Sequence, residues 1–141
     1  MMTRVTKEVS LKAPVEAVWQ YLTEREKISK WLLAISTSPN LGEEFKLTAP
    51  PKGGWDGTIK CRVLEMEAPH KIAFTWNDNL LAHDTLVTIT LKSENGGTRL
   101  RLVHEGWDEV SGDVRKHIVD HSGGWSDHLK ILQQILRRQE D

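Results

Sequence analysis

Histidine is the residue type in this chain best placed to do chemistry near neutral pH, and two of the six attract notice. His104 shares the parity of Leu100 and Leu102, so it faces inward near the end of a strand. There it can orient a ligand carbonyl or transfer a proton. The plainer alternative is a structural histidine bonded to a neighbour such as Glu105 or to a backbone carbonyl. His128 stands one residue before Leu129, at the edge of a helical apolar stripe, where exposure to solvent is expected. His117, His121 and His128, interspersed with Asp113, Asp120 and Asp127, would offer a divalent-metal face on one uninterrupted helix. Ser122-Gly123-Gly124 is expected to break that helix, and no metalloprotease glutamate accompanies the histidines, so a solvated polar face is expected and no metal.

Cys61 sits mid-strand between Lys60 and Arg62 and shares the parity of Ile59 and Val63, the setting of an inert buried thiol. No nucleophile elbow and no phosphate-binding glycine loop occurs, so no catalytic residue and no cofactor are assigned. A binding cavity is the stronger expectation. Phe74, Trp76, Val87, Ile89, Leu102 and His104 point to one sheet face, and Trp125, Leu129 and Leu132 look back at them from a helix. Trp31 and Trp55, each near a loop, suit the mouth, with His128 as a second polar anchor. The same side chains can instead fill an ordinary core.

These residues need a scaffold that the apolar periodicity supplies. Trp125, Leu129, Leu132 and Leu136 recur at steps of four, three and four, one face of a long C-terminal helix over 123–136. Upstream, Val5 to Leu11 alternates as a strand, and Pro14 opens a short helix carrying Val15, Val18, Trp19 and Leu22. Thr23 and Glu26 match a capping box for a second short helix. Strands follow around Phe45 and Leu47, Ile59 to Val63, Ile72 to Trp76, Val87 to Leu91 and Leu100 to His104. Asn95-Gly96-Gly97 marks a tight hairpin, and the alternation breaks at Leu64-Glu65-Met66, where a bulge is expected. The region from Trp107 to Gly123 is polar and mixed, with a helical lead-in expected from Asp113 to His121.

The 141 residues suit one domain over 1–141, and a net charge of -1 gives no electrostatic footprint for nucleic acid. One cysteine excludes an internal disulfide, and no stretch resembles a secretory signal or a membrane span, so a cytoplasmic protein is expected. The edge strand Val5 to Leu11 offers a surface for a homodimer.

Ala13-Pro14-Val15-Glu16-Ala17-Val18-Trp19, Trp31, Gly42-Glu43-Glu44-Phe45, Val63 through Trp76, His104-Glu105-Gly106-Trp107 and Gly124-Trp125 with Leu129 and Leu132 occur in an order that resembles one family. These are the relatives of the activator of the ninety-kilodalton heat-shock-protein ATPase, within the START-like or SRPBCC superfamily. The resemblance spans nearly the whole chain. It implies an α+β helix-grip fold, a curved antiparallel sheet of about six strands around the C-terminal helix, often with a cavity between. The superfamily includes lipid carriers, polyketide cyclases and a co-chaperone domain, so fold does not select function. The co-chaperone's separate N-terminal domain has no counterpart here, which argues against a chaperone partner. The leading expectation is a binding protein for a small apolar, aromatic or lipid-like molecule. Its rivals are a cyclase- or hydrolase-like enzyme using His104, and an interaction module with a closed core that works through Gly53-Gly54-Trp55.

Overall fold

The computed structural model describes residues 4–79, 83–107 and 114–140. The order is β1 (Val5–Leu11), α1 (Val15–Thr23), α2 (Arg25–Trp31), β2 (Ala34–Ile35), β3 (Glu44–Thr48), β4 (Thr58–Glu67), β5 (Lys71–Trp76), β6 (Thr85–Glu94), β7 (Gly97–Glu105) and α3 (Val114–Glu140). The seven strands form one curved antiparallel sheet in the order β1-β7-β6-β5-β4-β3-β2. Strands β2 to β7 are a meander, and β1 returns to pair with β7, Val5 opposite His104 and Leu11 opposite Thr98. The seventh strand is the two-residue β2, too short to leave a period-2 signature.

Period-2 alternation translates directly into burial along β6 and β7, where Val87, Ile89, Leu91, Leu100, Leu102 and His104 are all buried. Asn95 and Gly96 both take positive φ, 49° and 79°, as a two-residue hairpin matching strand twist demands. The register of β4 against β5 shifts between Val63 and Glu65, the bulge that the broken alternation predicts. The capping box does not form. Thr23 is still inside α1, its hydroxyl donates back to the Trp19 carbonyl at 2.9 Å, and Glu24 caps α2 through extended backbone without a side-chain bond.

The largest departure from expectation is α3, which runs unbroken through Gly123 and Gly124. Each glycine inside a helix costs about 1 kcal/mol relative to alanine. Against that cost, Ile118 before the pair and Trp125, Leu129, Leu132 and Leu136 after it are buried. Each contributes about 1.5–3 kcal/mol by leaving water. Tertiary burial therefore outweighs the local penalty severalfold. No helix among the described residues is long and apolar enough to cross a membrane.

Candidate functional site

Where α2 meets the sheet, little room is left in the concavity. Trp31, Phe74 and Ile89 border a void of about 20 Å³ together with Leu22, Ile28 and Phe45, room for about one water molecule. A pocket of about 230 Å³ lies at one end of the sheet. Leu33, Ala49, Trp55, Ile59 and Trp76 form its wall on the sheet side, and Asp120, His121, Gly124, Trp125 and His128 form the helix side. The helix residues are spaced at steps of three, one and three from His121 onward, so one stripe of α3 faces the pocket. A Cβ built on Gly124 meets nothing within 4 Å. The missing side chain is what leaves the helix surface open between the two histidines.

Trp55 reaches this pocket from a tight turn. Lys52 and Trp55 pair across Gly53 and Gly54, whose φ values of 56° and 88° suit glycine. The loop is tied down at Asp56, whose carboxylate accepts from the Asn79 side-chain amide at 3.0 Å and from the Thr58 backbone N–H at 2.9 Å. Gly57 passes so close to the Ala49 carbonyl that an added Cβ would lie 2.1 Å from its oxygen. The Trp55 indole donates to the Thr58 carbonyl at 3.3 Å.

Behind the pocket, hydrogen bonds lock α3 to the sheet. The Trp125 indole N–H donates to His104 Nδ1 at 3.0 Å. An indole nitrogen only donates, so Nδ1 is the unprotonated nitrogen and Nε2 carries the proton. His104 Nε2 then donates to Thr85 Oγ1 at 2.7 Å, and the Thr85 hydroxyl donates to the Trp76 carbonyl at 3.0 Å. Trp107 adds a bond to the His104 carbonyl at 2.9 Å. His104 is fully buried. Its pKa is held well below the usual histidine range, first by burial and then by neighbouring His121. Protonating Nδ1 would also set two N–H groups against each other.

His121 packs on this assembly, its ring 4.8 Å from Trp107 and 5.4 Å from His104, with Nε2 3.5 Å from an Asp78 carboxylate oxygen. His128 is half-buried rather than exposed, because its Nδ1 donates to the Trp31 carbonyl at 3.0 Å. The Trp76 indole N–H is buried and has no partner among the described residues. An unmet buried donor is rare enough to mark a wall not optimised for stability alone. Cys61 is buried, and burial followed by Asp84 drives its thiol pKa upward, leaving it unreactive.

The family model for activator of Hsp90 ATPase homolog 1-like proteins matches residues 12–137. The chain belongs to this family. A crystal structure of protein MLL2253 from Mesorhizobium loti superposes with a TM-score of 0.81 at 30% identity, covering 96% of this chain and 97% of that one. Protein BH1534 of Bacillus halodurans, solved in solution, gives 0.75 at 29% identity over 96% and 99%. The Aha1 dimer from Colwellia psychrerythraea gives 0.77 at 21% identity over 96% of each chain, a likeness of fold alone. No curated protein matches this chain.

Within this member of the Hsp90-activator-like family, the expected site residues divide three ways. Trp55, Trp76, Trp125 and His128 surround the 230 Å³ pocket. Trp31, Phe74 and Ile89 border the small void under α2 instead. Val87, Leu102, Leu129 and Leu132 are core, each at most 2% exposed, and His104 stands behind Trp125. Sequence reasoning missed Leu33, Ala49, Ile59, Asp120, His121 and Gly124 as pocket residues; a continuous α3 would have put His121 and Gly124 on one stripe with Trp125 and His128. Of the histidine and aspartate constellation, Asp113 and the His117 side chain lie outside the described residues. No group of three metal-ligating side chains occurs among the described residues.

Proposed function

We propose that this chain is a binding protein for a small, mainly apolar molecule carrying an aromatic ring, held between the sheet end and the middle of α3. The supporting observation is that three tryptophans, Trp55, Trp76 and Trp125, line open space of about 230 Å³ while only about 20 Å³ is left under α2. An apolar cavity of about 150 Å³ takes benzene, so a one- or two-ring compound suits this one. Large flat aromatic walls bring contact area at low entropic cost, with offset or edge-to-face geometry available to a guest ring. His104 serves as a structural anchor in this reading, because its two ring nitrogens are engaged by Trp125 and Thr85. It therefore does not supply the acid or base of a cyclase or hydrolase. The protein would act in a reducing cytoplasm, and β1, at the sheet edge, is the strand a second copy would use.

The test is native mass spectrometry of the purified protein followed by a thermal-shift panel of aromatic and aliphatic compounds, run beside Gly124→Leu. A one- or two-ring compound bound at stoichiometry is the expected mass result, and a ligand present at a hundredfold its Kd stabilises the fold by about 2.7 kcal/mol. Gly124→Leu, which fills the gap between the histidines, removes that stabilisation without lowering the melting temperature of the free protein. A clean mass and a flat panel would sink the reading.

A further inference from the structure

We infer that the pocket selects an aromatic ligand bearing a neutral hydrogen-bond donor, a compound of the phenol class, and that His128 is the residue that reads the donor. The inference rests on the pocket reading above and deepens it. His128 Nδ1 lies 3.0 Å from the Trp31 carbonyl oxygen. A carbonyl accepts and never donates, so Nδ1 holds the ring proton, and the neutral imidazole keeps its lone pair on Nε2. No hydrogen bond to Nε2 is made by the described residues, and His128 forms part of the pocket wall beside Trp125, ring centroids 6.4 Å apart. The backbone carbonyl at the end of α2 thus fixes the tautomer and leaves an acceptor for whatever enters.

Gly124 precedes His128 by one helical turn, and the space a side chain would occupy there is empty. A flat ring lying over Gly124 places its edge at His128. Charge narrows the chemistry further. No lysine or arginine is among the described pocket residues, and the carboxylate present is that of Asp120. A ligand carboxylate would enter an apolar site without a counter-charge. A phenol avoids that cost and presents an O–H at the rim of a ring that packs on indole. An ether or ketone of the same shape fills the space but leaves the lone pair of Nε2 desolvated and unmet.

The experiment compares 2-naphthol with its methyl ether, 2-methoxynaphthalene, by calorimetry on the full chain at about pH 8, below the ordinary phenol pKa and above that of histidine. Long-range ¹H–¹⁵N NMR of the histidine rings accompanies it. The expected result is that naphthol binds about five- to tenfold tighter than the ether, the gain of one neutral hydrogen bond. The His128 Nε2 resonance should start in the unprotonated position and move with naphthol but not with the ether. His128→Phe should erase the preference, lowering the affinity for naphthol more than that for the ether. If that variant does not fold, the wild-type NMR pair decides alone. Equal affinities, or a free protein whose His128 proton sits on Nε2, overturn the assignment to His128 and leave the pocket standing. Failure of both compounds to bind overturns the phenol inference and the pocket reading together.

Discussion

Acidification should weaken this fold through His104, and the expected size follows from its surroundings. In the native state the ring is fully buried, accepts from Trp125 and donates to Thr85, so only its neutral form fits. In the unfolded chain it titrates at about pH 6.5. A folded pKa lowered by burial and by His121 means that the unfolded state binds the extra proton between the two values. The stabilisation is fully present above about pH 6.5 and is lost as pH falls below it toward the depressed folded value. One proton difference corresponds to about 1.4 kcal/mol per pH unit. Urea denaturation across this range should therefore show a slope that His104→Leu reduces by up to that amount. Comparing the two proteins cancels the other histidines. Thr85→Val probes the same lock at neutral pH, since it keeps the side chain's shape while leaving His104 Nε2–H buried without an acceptor, at a cost of about 1–3 kcal/mol. Identical pH slopes in wild type and His104→Leu would refute the neutral, doubly bonded ring.

Gly123 is exposed and has open space at its Cβ position, so Gly123→Ala should stabilise the protein by about 0.5–1 kcal/mol in the same denaturation assay without altering ligand binding. Gly57→Ala should destabilise by about 1–3 kcal/mol or more, because φ is 86° and the new Cβ would collide with the Ala49 carbonyl; loosening the loop should also change Trp55 fluorescence. Cys61 should resist a thiol-specific disulfide reagent in the native protein and react stoichiometrically in denaturant; rapid native labelling would contradict its burial within β4. Breaking the exposed Arg99 to Glu8 ion pair, 3.1 Å long, should leave stability nearly unchanged in a double-mutant cycle.

Local physics in the sequence accounts for much of what is seen. Alternation in β6 and β7, the positive-φ hairpin at Asn95-Gly96, the bulge after Val63 and the apolar stripe from Trp125 to Leu136 each depend on neighbours within a few residues, so they could be read without coordinates. Even the inward direction of His104 followed from parity. Its role did not, because the partners that engage both ring nitrogens, Thr85 and Trp125, lie 19 and 21 residues away and meet it only across the sheet and α3. The continuity of α3 was likewise invisible to local propensity. Two adjacent glycines read as a stop when judged by their own conformational cost, and only burial of the flanking Ile118 and Trp125 outweighs that cost. The site inherits this dependence. With the helix continuous, His121, Gly124, Trp125 and His128 fall on one stripe, and Trp76 on the sheet and Trp55 on its turn face them across the pocket. Inward-facing side chains are specified by periodicity, whereas which of them touch one another and which border empty space depends on how elements distant in sequence pack.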